Sequence, residues 1–286
     1  MSAYGIQHRH IDIDGVRVFY REAGPADGPV LLLLHGFPTA SHQFVRLMTA
    51  LGGGAYRLIA PDYPGFGHTE APAGYRYSFD ALADTVEAFT DALGLEKFAL
   101  YLFDFGGPVG LRLAERRPAR ITGLIVQNAN AYEDGLSDAA RTFIALRRTD
   151  PGAEEQVRSL FTPAGTRMQY ETGVADPSLL SPDSWTLDQH FLDRPGRADA
   201  QADLAFDYRS NVARYPAWQA WLAEHRPPTL VLWGAGDPFF TPAGAKAFLR
   251  DVPEAELHLF DDAGHFALET HLDPAVPLIT DFLARL

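Results

Sequence analysis

The chain contains no cysteine among its 286 residues. This absence excludes disulfide bonds, thiolate metal sites and cysteine nucleophiles, and it is compatible with a reducing compartment. Positive charge is also scarce, because 24 lysines and arginines stand against 37 aspartates and glutamates, a formal net charge of −13. An acidic chain is a poor partner for nucleic acid or for an anionic membrane surface.

The chain also lacks a long uncharged apolar segment that would span a membrane, and its first ten residues lack the apolar stretch of a secretory signal. We therefore expect a cytoplasmic protein with no nucleic-acid or membrane partner. Hydrophobic residues make up 47% of the chain and aromatic residues 12%, enough for a large core and an apolar pocket. The composition suits a soluble, enzyme-sized protein.

Continuous apolar runs alternate with amphipathic segments along most of the chain. Such runs are typical of strands covered on both faces of a parallel sheet. A hairpin is predicted at Asp14-Gly15, and a helix over Phe79–Leu95. The apolar runs are Pro29–His35, Arg57–Asp62, Phe98–Phe103, Ile121–Gln127, Pro228–Asp237 and Ala255–Phe260. Their alternation with helices predicts an α/β fold with a mostly parallel, doubly wound sheet.

This alternation lapses between about residues 130 and 226. The region is rich in helix formers, prolines, tryptophans and tyrosines, and it has no run that resembles a buried parallel strand. The last two apolar runs and an amphipathic helix near Val276–Leu286 follow it. We predict a first core part over residues 1–129, an inserted helical cap over 130–226 and a second core part over 227–286. The cap is expected to face the carboxyl ends of the strands, where open sheets bind ligands.

An acidic residue ends the apolar run at Phe98–Phe103. Asp104 is followed by Phe-Gly-Gly-Pro, which predicts a tight turn at Asp104 and a helix that begins at Gly107 or Pro108. This is the strand–turn–helix context of a nucleophile elbow, in which the usual G-x-S-x-G pattern has a serine. An aspartate there would attack carbon and form an alkyl ester, which suits ring opening or halide displacement.

Two further polar residues follow apolar runs near the C-terminus. Asp237 and His265 come after Asp104 in the order nucleophile, acid, histidine. Each of the three alone has an ordinary explanation as a turn cap or a surface residue, whereas together they predict a catalytic triad. Glu133, which lies after the Ile121–Gln127 run, is the alternative acid.

A His-Gly-Phe-Pro turn follows the apolar run that ends at Leu34. We predict that the backbone N–H groups of Phe37 and Phe105 form an oxyanion hole. These two donors would stabilise the tetrahedral intermediate when the ester on Asp104 is hydrolysed.

No phosphate, metal or cofactor site is predicted. The glycine-rich stretch Asp62–Thr69 lacks the Gly-Lys-Ser/Thr of a phosphate-binding loop and is interpreted as a structural turn. His8 and His10 have no third ligand that the sequence indicates, so they are interpreted as surface residues of a strand.

These motifs together resemble the α/β-hydrolase superfamily, and within it the epoxide hydrolase and haloalkane dehalogenase branch. The resemblance extends over nearly the whole chain and is strongest in the core. It implies an α/β-hydrolase fold, a covalent ester on Asp104 and activation of water by His265. The motifs that carry it are His35–Pro38, Pro64–Thr69, Asp104–Gly107, Asp237 and His265.

Epoxide hydrolases activate the epoxide oxygen with two tyrosines of the cap, because a phenol donates a strong hydrogen bond and can be reprotonated. The sequence Asp-Tyr-Arg-Ser-Asn around Tyr208 resembles the segment that carries one of them. The sequence around Tyr170 resembles the other, with a short gap after the tyrosine. Tyr132 and Tyr215 are alternatives, and simple packing of these tyrosines in the cap is another.

The residues beside the predicted nucleophile distinguish an epoxide from a halide. Haloalkane dehalogenases have a tryptophan directly after the nucleophile and a second halide donor after the His-Gly turn. Phe105 and Phe37 occupy these positions here and donate nothing to a halide. Fluoroacetate-type dehalogenases have an arginine after the nucleophile, which Phe105 also replaces. The resemblance therefore favours hydrolysis of a small apolar epoxide to a vicinal diol, with Trp185 joining Phe37 and Phe105 around the substrate.

The sequence leaves three alternative functions open. A haloalkane dehalogenase is the second prediction, because Trp185, Trp218 or Trp221 would supply indole donors from the cap. An esterase or lactonase is weaker, because carboxylate attack on an ester gives an anhydride. A binding protein that lost catalysis would not need both Asp237 and His265. The sequence does not indicate the natural substrate or the oligomeric state.

Overall fold

Eight strands form one sheet in the computed structural model, which describes residues 5–286. In chain order they are β1 (Gln7–Ile13), β2 (Val16–Ala23), β3 (Val30–Leu34), β4 (Arg57–Pro61), β5 (Phe98–Phe103), β6 (Ile121–Gln127), β7 (Thr229–Gly234) and β8 (Glu256–Phe260). They lie in the order β1-β2-β4-β3-β5-β6-β7-β8. The strands from β3 to β8 are parallel, and β1 and β2 are antiparallel to their neighbours. The predicted α/β fold with a mostly parallel sheet is confirmed.

Helices cover both faces of this sheet. Alternate residues of a strand point to opposite faces, so Leu32 and Leu34 of β3 belong to one apolar core, and Leu31 and Leu33 to the other. Helices α2 (Phe79–Ala92), α3 (Gly106–Arg116) and α10 (Pro242–Asp251) pack on the first face, and α1 (Val45–Leu51) and α11 (Ala267–Leu283) on the second. Burial on both faces explains why the strands are apolar without alternation.

The closing helix is longer than predicted. It begins at Ala267 instead of near Val276, and its backbone leaves helical geometry at His271 before it continues. Pro274 lies in the first turn after this break, where the missing N–H of proline costs no hydrogen bond. The predicted start was therefore wrong by about two turns, and the break at His271 separates the first turn of the helix from the part that was predicted.

Six helices lie between β6 and β7: α4 (Asp138–Ala145), α5 (Ala153–Ser159), α6 (Pro163–Glu171), α7 (Pro182–Leu192), α8 (Arg197–Asp207) and α9 (Arg209–His225). We call residues 130–226 the cap, and its boundaries as a separate unit stay a prediction. Within residues 5–286, none of the helices is long and apolar enough to cross a membrane.

The strand order determines where a ligand can bind. The chain passes from β3 to β4 on one side of β3 and then returns to β5 on the other side. At such a reversal the loops after the two central strands separate and leave a crevice at their carboxyl ends. Phe37 follows β3 and Asp104 follows β5, so both lie at this crevice.

Candidate active site

Asp104 lies at a sharp turn between β5 and α3. Its φ angle is +47°, in the left-handed region that non-glycine residues rarely adopt, and its carbonyl accepts a hydrogen bond from the Gly107 N–H at 2.9 Å. The turn packs closely against Gly36, where there is no room for a side chain. A Cβ on Gly36 would lie 2.4 Å from the Asp104 Cβ. The predicted elbow is therefore present as a strand–turn–helix, with the helix one residue earlier than predicted.

The Asp104 carboxylate is buried and faces backbone donors. Its Oδ2 accepts a hydrogen bond from the Phe37 N–H at 2.7 Å. Burial raises the pKa of Asp104 to about 6, against the effect of His265 and of the backbone N–H groups of Phe37 and Phe105, which lower it. Both predicted oxyanion donors are thus directed at the carboxyl group of Asp104.

The turn that presents Phe37 is held by a neutral histidine. The Nε2 of His35 accepts a hydrogen bond from the Tyr63 N–H at 3.1 Å, and its Nδ1 lies 3.0 Å from the Gly36 carbonyl, to which it donates. Burial lowers the pKa of His35 to about 4, although the nearby Asp62 acts in the opposite direction. A neutral ring is what this pattern of one donor and one acceptor requires.

Asp237 and His265 form a buried pair. The Nδ1 of His265 lies 2.7 Å from the Asp237 Oδ2, while the Asp237 Oδ1 accepts hydrogen bonds from the N–H groups of Phe239 at 2.8 Å and Phe240 at 3.0 Å. Burial disfavours the imidazolium, but the Asp237 carboxylate outweighs this effect and raises the pKa of His265 above its ordinary value. Since Nδ1 donates to Asp237, the remaining nitrogen of His265 is available to act as a base.

Sequence reasoning missed Asn128, which supports this pair. Its Nδ2 donates to the Asp237 Oδ2 at 2.7 Å, and its amide also exchanges hydrogen bonds with the backbone of Gly234 at 2.9 and 3.2 Å. The only signal was a polar residue directly after the apolar strand β6. Its φ of +43° is accessible to asparagine more readily than to most residues.

Glu133, the alternative acid, is exposed in a short 3₁₀ helix at Glu133–Gly135, and its carbonyl accepts a hydrogen bond from Arg141. The buried Asp237 is the carboxylate that pairs with His265, so the alternative is wrong.

A cavity of about 550 Å³ opens above Asp104 and lies between the core and the cap. Asp104, His265 and Tyr208 all contribute to its lining. Most of the remaining surface is apolar, and it includes six phenylalanines: Phe37, Phe105, Phe143, Phe161, Phe239 and Phe240. A cavity of this size and character suits a small apolar molecule.

Tyr208 is buried beside the candidate nucleophile. Its ring centroid lies 5.9 Å from that of Phe105, and its hydroxyl has no hydrogen-bond partner anywhere in residues 5–286. Burial raises the pKa of Tyr208 well above its ordinary value, and the neighbouring Tyr215 and Asp104 add to this effect. The hydroxyl of Tyr215 accepts a hydrogen bond from the Asn130 side chain at 3.3 Å.

Tyr170 and Trp185 do not reach this cavity, which corrects both predictions. The Tyr170 hydroxyl donates to the buried Asp188 Oδ2 at 2.5 Å, and its ring stacks on Phe266 at 3.9 Å. Trp185 is half-buried in a separate groove between α6 and α7, where Arg167 lies over its ring at 5.6 Å. On α6 the preceding residue, Gln169, is the one that lines the cavity. Successive helical side chains point about 100° apart, so a one-residue difference reverses the role.

The other aromatic candidates are distributed through the cap and core. Tyr132 donates its hydroxyl to Asp251 at 2.8 Å. Trp218 and Trp221 are buried in the apolar core outside the lining of the cavity. His8 and His10 are exposed on β1, and no cluster of three metal-binding side chains occurs in the described residues 5–286.

Comparison with known proteins agrees with this architecture. Residues 29–272 match the family model described as alpha/beta hydrolase fold. An uncharacterized hydrolase of Saccharomyces cerevisiae is 46% identical over 264 residues, which cover 91% of this chain and 90% of the relative. Haloalkane dehalogenase 2 of Mycobacterium tuberculosis is 30% identical over 93% of this chain and 91% of its own length.

A solved structure also has this fold. The epoxide hydrolase VrEH1 of Vigna radiata superposes with a TM-score of 0.76 and 25% identity, covering 98% of this chain and 99% of its own. The family model spans strands β3 to β8 and the cap together, including Asp104, Asp237 and His265. This chain therefore belongs to the α/β-hydrolase family and is a hydrolase of that family.

Proposed function

We propose that the protein opens a small apolar epoxide to a vicinal diol through a covalent ester on Asp104. The observation that carries this proposal is the combination of groups in one cavity. A buried carboxylate, the Asp237–His265 pair and the hydroxyl of Tyr208 share an otherwise mostly apolar lining. No metal or organic cofactor is needed for this chemistry.

In the first step, an Asp104 oxygen attacks a ring carbon and the carbon–oxygen bond of the epoxide breaks. The electron pair of that bond goes to the epoxide oxygen, which takes a proton from Tyr208. The Tyr208 hydroxyl is suited to this because it makes no well-formed hydrogen bond within residues 5–286. Burial and the neighbouring Tyr215, which lies outside the cavity lining, raise the pKa of Tyr208 and keep the phenol protonated.

In the second step, His265 takes a proton from water, and the water oxygen attacks the carboxyl carbon of the ester. The N–H groups of Phe37 and Phe105 stabilise the oxyanion. Collapse of this intermediate breaks the acyl–oxygen bond, and the proton on His265 goes to the leaving oxygen, which releases the diol. Asp104 is left as a carboxylic acid and returns to the carboxylate by losing its proton to solvent. Tyr208 recovers its proton from solvent.

Dehalogenation is a second candidate function, supported by the 30% identity with haloalkane dehalogenase 2. The residues beside Asp104 argue against it. Phe37 and Phe105 offer a halide only their backbone N–H groups, which already face Asp104. The indole N–H groups of Trp218 and Trp221 belong to residues outside the cavity lining.

A direct test compares diol formation from styrene oxide with halide release from short haloalkanes on the same preparation. We expect diol without halide. Halide release with no diol would replace the proposal by dehalogenation, and tight binding without turnover of either would indicate a binding protein.

The covalent step has its own test. His265→Gln should accumulate an ester that mass spectrometry detects as the protein plus one substrate, attached at Asp104. One turnover of the unmodified enzyme in ¹⁸O-water should place the label in Asp104 and not in the diol. Label in the diol would show direct attack of water on the epoxide and rule out the ester.

A further inference from the structure

One segment of the cap touches both loops that carry the Asp237–His265 pair. This segment, residues 170–175, consists of the last two residues of α6 and the four residues that follow. A Cβ on Gly173 would lie 1.8 Å from the Gly236 carbonyl oxygen, and a Cβ on Gly264 would lie 2.4 Å from the Thr172 carbonyl oxygen. The Ala175 N–H donates to the Asp262 carbonyl at 3.0 Å. The contact is thus backbone against backbone.

The two core residues that it touches stand directly before the catalytic pair. Gly236 precedes Asp237, and Gly264 precedes His265. Their loops also contact each other, because the Gly236 N–H donates to the Ala263 carbonyl at 2.9 Å. Residues 170–175 therefore meet the two loops that carry Asp237 and His265. A shift of any one of these three segments would displace the Asp237 carboxylate or the His265 imidazole.

Buried hydrogen bonds hold the segment at its first residue. The Tyr170 ring stacks on Phe266, directly after His265, at a 7° interplanar angle. Its hydroxyl donates to Asp188 on α7, and the other Asp188 oxygen lies 2.8 Å from the Nε2 of His42 in the core. Asp188 is fully buried. The chain Tyr170–Asp188–His42 therefore fixes two cap helices to the core beside the His265 loop.

We propose that residues 170–175, held by Tyr170, Asp188 and His42, position the Asp237–His265 pair, so that the cap sets the geometry of the second chemical step. Asp104 is set separately by β5, α3 and Gly36. The segment is a positioning element and contributes no catalytic residue. Its effect on ester hydrolysis rests on the proposed function, whereas its effect on the hydrogen bond between Asp237 and His265 does not.

Two glycines of the cap provide a matched test. Gly173 and Gly196 both have φ of +78°, so alanine costs the same backbone strain at each. A Cβ on Gly196 meets nothing within 4 Å in the described chain, whereas one on Gly173 collides with Gly236. We expect Gly173→Ala to slow ester hydrolysis about 100-fold, the effect of a misplacement near 1 Å. Alkylation of Asp104 should be unchanged, and Gly196→Ala should leave both steps unchanged.

The hydrogen-bonded chain Tyr170–Asp188–His42 is tested by milder variants. These variants also test the proposal if Gly173→Ala does not fold. Tyr170→Phe removes the hydrogen bond to Asp188, Asp188→Asn removes the negative charge and turns one acceptor oxygen into an amide donor, and Tyr101→Phe is the control. Tyr101 loses an equally buried bond to the Gln127 Oε1 at 2.6 Å, away from the cap. We expect hydrolysis to fall in the first two variants only, with alkylation kept.

A readout without substrate separates this proposal from the proposed function. The low-field NMR resonance of the proton on the His265 Nδ1 reports the bond to Asp237 directly. It should shift or broaden in Gly173→Ala, Tyr170→Phe and Asp188→Asn, and stay in place in the two controls. An unaltered resonance, equal effects of Gly173→Ala and Gly196→Ala, or equal slowing of both chemical steps would overturn the proposal. If the unmodified enzyme opens no epoxide, the resonance of the His265 proton alone tests whether residues 170–175 position the Asp237–His265 pair.

Discussion

Two tyrosines of the cap, Tyr170 and Tyr208, are both buried, yet their hydroxyl groups have opposite surroundings. The Tyr170 hydroxyl donates to Asp188 within a network that reaches the core. The Tyr208 hydroxyl has no partner among residues 5–286 and lies beside the cavity above Asp104. A buried polar group without a partner is costly, so a protein keeps one mainly where a ligand completes it. The comparison separates a phenol with a structural hydrogen bond from the one that we propose as the acid.

The comparison has meaning only if Asp104 is the attacking group, and its removal is the largest effect that we expect. Asp104→Asn should lower diol formation by about 10⁴-fold or more, because no ester can form. Product analysis after long incubation measures this. Residual turnover close to that of the unmodified enzyme would place the reaction elsewhere in the cavity.

The proposed role of the Tyr208 hydroxyl is tested by the variant Tyr208→Phe. We expect alkylation of Asp104 to slow by about 10²-fold, the usual contribution of a general acid, while ester hydrolysis keeps its rate. Single-turnover fluorescence resolves the two steps. Thermal stability should not fall, because the hydroxyl makes no hydrogen bond within the described chain that the variant would lose. A slowed second step would contradict the assignment of Tyr208 to ring opening.

The pH dependence of alkylation distinguishes the Tyr208 proton from the Asp104 charge. Burial raises the pKa of Asp104 to about 6, against the lowering effect of His265 and the two backbone N–H groups. Because only the carboxylate attacks, the alkylation rate should be level above pH 6 and fall about tenfold per pH unit below it. Tyr208→Phe should lower the whole curve without moving its acid limb. An acid limb at about pH 4, where an ordinary aspartate titrates, would contradict attack by a carboxylate whose pKa burial has raised.

Removal of the Tyr170 hydroxyl is expected to lower the stability of the folded protein. Tyr170→Phe leaves one oxygen of the buried Asp188 carboxylate without its donor, which should cost about 1–3 kcal/mol of the free energy of unfolding. Urea denaturation measures this loss. Tyr208→Phe in the same assay is the control, and an equal loss in both variants would erase the distinction between the two hydroxyls.

The sequence was sufficient for those parts of the site that lie at strand ends. Asp104 follows β5, an apolar strand that is buried along its whole length, and His265 lies in the loop after the edge strand β8, so their place at the carboxyl edge follows from local sequence. The cap differs because helix propensity does not say which face of α6 meets the cavity. The choice between Gln169 and Tyr170 depends on packing against Phe266 and Asp188, both distant in the chain. Asn128 is an exception among the residues at strand ends, because its role depends on the bond to Asp237, which lies 109 residues away in the chain.

The burial of Asp104 has a consequence for the reaction cycle as a whole. An ionised carboxylate inside an apolar cavity destabilises the folded free enzyme above the pKa of that group. Alkylation converts the carboxylate into a neutral ester and removes this penalty. On the proposed mechanism, the loaded enzyme should therefore melt at a higher temperature than the resting enzyme.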